Sequence, residues 1–124
     1  MSDAAPDFRF RRENRLLTPA DFQRVFDQAR YRAGSRHFLF LAIENPLAVH
    51  RLGLVIPRKR ARRAVDRARV KRQLRESFRH RPDSLQGLDV VVLLRGGLSD
   101  PDPAALRAEV DGLWDKLLAK RTRA

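Results

Sequence analysis

The chain has 124 residues, enough for one domain and short for two, and 43% of them are hydrophobic. Its 27 Lys and Arg against 15 Asp and Glu give a net charge of +12, which calls for an anionic partner, nucleic acid first and a membrane surface second. The absence of Cys excludes disulfide scaffolds, thiol catalysis, Cys-type zinc sites and iron–sulfur clusters, and no apolar run approaches the ~18 residues of a membrane-spanning helix.

The opening "MSDAAPDFRFRREN" turns basic early and lacks the apolar stretch of a secretory signal, which suits a cytoplasmic protein. Residues 1–15 read as an irregular basic arm carrying Arg9, Arg11, Arg12 and Arg15. A helix follows: Thr18 is a good N-cap, Pro19 suits the first helical position, and Asp21 complements the dipole. Phe22, Val25 and Phe26 share one face of it, and its end is expected near Ala29–Arg30. By spacing alone Phe22 and Phe26 are core residues more often than a ligand platform. "RHFLFLAIE" (Arg36 to Glu44) and "RLGLVIP" (Arg51 to Pro57) read as strands around a turn at Asn45-Pro46, with Pro57 closing the second. In the first, Phe38 and Phe40 alternate with Leu39 and Leu41, so one pair faces the core; the pattern does not say which. A further short strand near Arg30–Ala33 is left open.

The segment from Arg58 to Arg81 holds twelve basic residues and only two acids, Asp66 and Glu76, so it carries +10 of the net +12. A solvated helix face normally mixes its signs, and this one does not. Arg outnumbers Lys there, and its planar fork grips phosphate in pairs. Arg58 to Arg62 read as a connector and Arg63 to Arg79 as a helix. Val70, Leu74 and Phe78 make a narrow apolar stripe; Lys71, Arg75 and Arg79 make a basic one beside it, widened by Arg69 and Arg72. The apolar "LDVVVLLRGG" (Leu88 to Gly97) reads as a central strand covered on both faces. Asp100 is expected to cap a last helix whose core face includes Leu106, Val110, Leu113, Trp114 and Leu117, ahead of a frayed basic tail, 119–124. The fold class is α/β (α+β): a single-domain two-layer sandwich over 1–124, with a mixed sheet of about four strands in the order α-β-β-(β)-α-β-α.

No chemistry of the protein's own stands out. His37, His50 and His80 are scattered, no paired-acid pattern lies in an apolar setting, and no phosphate-cradling glycine motif occurs.

The stretch "LGLVIPRKRARRAVDRARVKRQLRESFR" (Leu52 to Arg79) resembles the bacterial ribonuclease P protein subunit in its proteobacterial form. The upstream "RLLTPADFQRVF", the downstream "DVVVLLRGG" and the terminal helix fit the same family, so the resemblance covers essentially the whole chain. It departs at one point. The family's Arg-Asn-Arg is Arg67-Ala68-Arg69 here, and Ala cannot supply the amide hydrogen bonds of Asn. The resemblance implies an accessory subunit that helps a catalytic RNA remove 5′ leaders from precursor tRNA, without cleaving alone. RNA would be bound by Arg58, Lys59, Arg60, Arg62, Arg63, Arg67, Arg69, Lys71, Arg72 and Arg75. The leader would be bound by Phe22, Phe26, Phe40, Arg11 and Arg15. The resemblance further implies no catalytic or metal-ligating protein residue and no cofactor on the protein alone, with magnesium held mainly by the RNA. The partners would be ribonuclease P RNA and precursor tRNA, in a 1:1 complex with a monomeric protein and no membrane. The strand–helix–strand crossover would be left-handed, against the general right-handed preference. The alternative is a general basic RNA-binding protein of ribosomal type with no role in tRNA processing.

Overall fold

The computed structural model describes residues 12–16, 18–81 and 83–123. Arg12–Asn14 form a short 3-10 turn, followed by α1 (Pro19–Gln28), β1 (Tyr31–Gly34), β2 (Phe38–Glu44), β3 (Arg51–Val55), α2 (Ala64–Arg79), β4 (Leu88–Leu94) and α3 (Pro103–Arg123). The four strands form one sheet in the order β1-β2-β4-β3. β1 and β4 each run antiparallel to β2, while β3 and β4 run parallel and are joined through α2. β1, left open in the sequence, exists because Tyr31 and Ala33 turn inward while Arg32 and Gly34 stay outside.

The alternation along each strand assigns its two faces. Phe38, Phe40 and Ala42 of β2, with Leu88, Val90, Val92 and Leu94 of β4, meet Val70, Leu74 and Phe78 of α2 and the apolar face of α3. Trp114 lies at the centre of this main core, with Phe40 edge-on at 4.6 Å and its own indole N–H donating to Ser77 Oγ at 2.8 Å. On the other face, Leu39, Leu41 and Ile43 of β2 and Val91 of β4 pack with Leu16, Phe22, Val25 and Ala29 in a smaller cluster under α1. β4 is therefore central and covered on both sides, as its unbroken apolar run requires.

The helix ends follow capping chemistry, with one correction. Thr18 Oγ1 accepts from the Asp21 N–H at 3.1 Å, as expected. At α3, however, the cap is Asp102, whose carboxylate accepts from the Ala105 N–H at 2.9 Å. Asp100 instead turns the chain with φ of 46° and meets Arg69 at 3.3 Å. The segment expected to fray is the last turn of α3 as far as Arg123, because Arg121 ties it down through the carbonyls of Ser84 and Gln86.

Two strand ends are set by neighbouring backbone. Beyond β3, the Pro57 carbonyl accepts from the N–H groups of both Arg60 and Ala61, which starts the basic connector. Beyond β4, the N–H groups of Arg95 and Gly96 both donate to the His37 carbonyl. A side chain at Gly96 would come within 2.5 Å of the Arg36 carbonyl oxygen, so only glycine fits there.

Among the described residues no helix is long and apolar enough to cross a membrane.

Candidate nucleic-acid interface

α2 presents its charge because its apolar stripe is committed. Val70, Leu74 and Phe78 are fully buried, and the same row begins one turn earlier with the buried Asp66. The rows on either side of that stripe carry the cations outward. Arg58, Lys59, Arg60, Arg62, Lys71, Arg72 and Arg75 have no carboxylate within ion-pairing distance among the described residues. They remain available to an external anion.

Three of the expected RNA-binding residues are engaged within the protein. The Arg67 guanidinium donates to the carbonyls of Ala61 at 2.9 Å and Arg62 at 2.8 Å, so it fastens the connector to the helix. Arg69 meets Asp100, and Arg63 approaches Asp66 at 3.6 Å. Replacing Arg67 therefore disturbs the connector's shape as well as removing a charge.

A groove runs between α1, β3 and α2. Arg15, Leu16, Phe22, Leu52, Gly53, Leu54, Lys71 and Arg75 line it. The chain enters it through the Leu16 N–H, which donates to the Leu52 carbonyl at 3.1 Å, while the Asn14 amide donates to the His50 carbonyl at 2.8 Å. Arg15, Lys71 and Arg75 also line the adjoining recess along α2, with Ala68, Arg72, Glu76 and Arg79. An apolar-floored groove and a basic helix face are thus one continuous surface, and Ala68 lies within it.

The residues expected to bind a leader separate in three ways. Phe22 lines the groove and is half-buried; Phe26, on the same helix, is 40% exposed; Val25 between them is the core residue of α1. Phe40 is a correction: it is fully buried on the α2–α3 face beside Phe38 and Trp114, on the opposite side of the sheet from the groove. Strand alternation puts Leu39 and Leu41 on the α1 side in its place. Arg11 lies outside the described residues.

Two features of this face carry no obvious sequence signal. Gly53 is the socket for Phe22: a Cβ there would stand 2.6 Å from the ring and 3.1 Å from Leu16 Cδ1. Gly53→Ala is expected to cost about 1–3 kcal/mol by overpacking, checked by thermal melting. A melting temperature equal to that of the natural chain would show that the ring moves aside freely.

The second feature is Asp89 of β4, fully buried under α1. It accepts two bonds from Arg51 of β3, at 2.8 and 2.6 Å, one from Asn45 at 2.7 Å and one from Arg24 of α1 at 2.5 Å. Burial pushes its pKa up, but donation from Arg51, Asn45 and Arg24 outweighs this and holds it below the ordinary carboxylate value. The cluster fixes α1 against the sheet and so sets the groove's width.

The histidines are internal or satisfied. His37 Nδ1 meets Glu109 at 2.8 Å, His80 Nδ1 meets the Glu76 carbonyl at 2.7 Å, and desolvation lowers the pKa of His50. Among the described residues no group of three or more His, Asp or Glu side chains is placed to hold a metal ion.

A family model described as ribonuclease P matches residues 10–118. The chain is 48% identical over 115 residues to the ribonuclease P protein component of Alcanivorax borkumensis, covering 93% of this chain and 95% of that protein. It is 45% identical over 114 residues to that of Pseudomonas aeruginosa, covering 92% and 84%. Among solved structures, the ribonuclease P protein of Staphylococcus aureus superposes with a TM-score of 0.74 at 25% identity, over 85% of this chain and 97% of that one. That of Thermotoga maritima, in complex with 1-(4-fluorophenyl)-2-thiourea, superposes with a TM-score of 0.59 at 30% identity, over 84% and 94%. With its sequence matched nearly end to end and its fold shared with these structures, the chain belongs to the ribonuclease P protein family.

Proposed function

We propose that this chain is the protein component of a ribonuclease P holoenzyme, in which it binds the RNA subunit and the 5′ leader of precursor tRNA together. Membership of the family carries the first part. The observation behind the second is the continuity of the groove and the basic face, joined by Arg15, Lys71 and Arg75. The RNA subunit docks on the connector and α2, where cations without internal partners meet phosphates. A single-stranded leader follows the groove and the edge of α1, where Phe22 and Phe26 offer stacking surfaces. Base stacking on an aromatic side chain contributes about 1–3 kcal/mol and tolerates any base, which suits leaders that differ between precursors.

The protein's contribution is electrostatic and positional. Two polyanions repel as they approach, and Arg and Lys relieve that repulsion at fixed positions. Hydrolysis is carried out by the RNA with magnesium bound to its phosphates, and the protein lowers the magnesium needed because both cations neutralise the same charge. One protein acts with one RNA.

The test is cleavage of precursor tRNA by a bacterial ribonuclease P RNA at low magnesium, with and without the protein. Stimulated cleavage at the mature 5′ end, with none by protein alone, is the expected result. Tight RNA binding without stimulation would overturn it in favour of a general RNA-binding protein.

A further inference from the structure

The connector and the loop after β4 close around a second recess, separate from the α1 groove. Lys59, Arg60, Arg62 and Arg63 rim it, Gly97 to Ser99 form the facing wall, and Asp66 completes the lining. Its walls are fixed by backbone contacts: the Leu98 N–H donates to the Arg60 carbonyl at 2.7 Å, and Arg67 holds the carbonyls of Ala61 and Arg62.

Asp66 breaks the recess's charge pattern. It is an acid among four cations, and its side chain is 1% exposed. Oδ2 is occupied, accepting from the Asp100 N–H at 3.2 Å with Arg63 Nε at 3.6 Å. Oδ1 is buried and has no hydrogen-bond partner among the described residues. A buried carboxylate oxygen without a donor is costly and rare, so this one awaits a donor from outside. Arg63, the N-cap of α2, makes no side-chain capping bond, which leaves the first-turn N–H groups without a side-chain acceptor beside the same recess.

A ligand that satisfies both features carries an anion and, next to it, one hydrogen-bond donor. The Watson–Crick edge of guanine offers two adjacent donors and would require both carboxylate oxygens, but one is taken. A ribose 2′-hydroxyl offers a single donor close to its own phosphate. We propose that this recess takes one ribonucleotide of the RNA partner, with its phosphate on the rim cations and the α2 N-terminus and its 2′-hydroxyl donating to Asp66 Oδ1. The inference rests on the RNA-binding reading above and adds to it a point at which the protein distinguishes RNA from DNA. The rim cations hold either backbone alike; only the carboxylate senses the hydroxyl. Because Oδ1 is buried in the free protein, this contact requires side chains of the recess lining to move aside.

The experiment titrates the full chain with cytidine 3′,5′-bisphosphate, its 2′-deoxy form and its 2′-O-methyl form, followed by amide NMR shifts. Binding of ribonuclease P RNA is measured separately. The expected result is shifts at Ala64, Val65, Gly97 and Ser99, with the ribose form bound roughly tenfold more tightly than the two that lack the donor, the size of one charge-assisted hydrogen bond. Asp66→Leu, which removes the acceptor oxygens at similar side-chain size, is expected to abolish that difference. Equal binding of the three nucleotides, or shifts away from the recess, overturns the proposal even if ribonuclease P RNA binds tightly. Failure of that RNA to bind at all would overturn the broader reading instead. The comparison of three nucleotides on the natural chain needs no variant, so a misfolded Asp66→Leu protein leaves the test intact.

Discussion

Asp89→Ala is expected to destabilise the protein by about 3–5 kcal/mol, because it removes the buried partner of two arginines at once. Arg24 and Arg51 converge on this carboxylate from α1 and β3, and Asn45 joins from the turn between β2 and β3. Asn45 also donates to the Val49 carbonyl at 2.9 Å, but among the described residues Arg24 has no other ion pair and Arg51 has only Asp21, at 3.9 Å. The melting temperature is expected to fall by about 10 °C or more. Asp27→Ala, at an exposed site on the same helix, is expected to change stability by no more than about 0.5 kcal/mol. Equal effects at the two positions would show that the cluster does not hold α1.

The same cluster predicts a pH dependence. The folded pKa of Asp89 lies below its unfolded value, so the carboxylate's contribution is fully present above the unfolded pKa of about 4. It is lost as pH falls through the folded value. Glu109 and Glu44 are also lowered and add to the acid sensitivity. In Glu109, burial raises the pKa, but donation from Ser35 and His37 more than offsets it. Comparing Asp89→Asn with the natural chain isolates Asp89: the difference in stability is expected to be large at neutral pH and to shrink below about pH 4. A constant difference across that range would mean that the charge of Asp89 contributes nothing.

Removing three cations from α2 is expected to have the largest effect on RNA binding. Lys71→Ala, Arg72→Ala and Arg75→Ala together remove charges without internal carboxylate partners from the surface shared by the helix and the groove. Each phosphate contact contributes roughly 0.7 to a log–log salt slope, so the slope for ribonuclease P RNA is expected to shallow by about 2 and affinity at ~0.1 M salt to drop about 100-fold. The matched comparison is Arg36→Ala, Lys116→Ala and Arg123→Ala, which removes the same net charge from exposed positions elsewhere. If both triple variants lose affinity equally, the interaction depends on net charge and α2 is not its site.

Much of the fold was legible in the sequence because its signals are local. Thr18-Pro19 starts α1, the spacing of Val70, Leu74 and Phe78 buries one stripe of α2, and the apolar run of β4 demands a central position. The excess of cations between Arg58 and Arg81 likewise points to an anionic partner before any coordinates are known. The short β1 is not legible because four residues carry too little periodicity to distinguish a strand from a loop. The α3 cap is ambiguous in the sequence because Asp100 and Asp102 both precede a proline, and only the turn at Asp100 leaves Asp102 next to the Ala105 N–H.

The element types other than β1, the basic helix and the family resemblance follow from residues near one another in the chain. Tertiary structure alone decided which strand face meets α1, and so sent Phe40 into the core and left Leu39 and Leu41 under the helix. It alone placed Asp89 opposite Arg24 and Arg51, Gly53 beneath Phe22, and Asp66 behind the connector's cations. A period-two strand pattern is the same from either side, and contacts between residues distant in the chain exist only once the sheet has chosen its order and register.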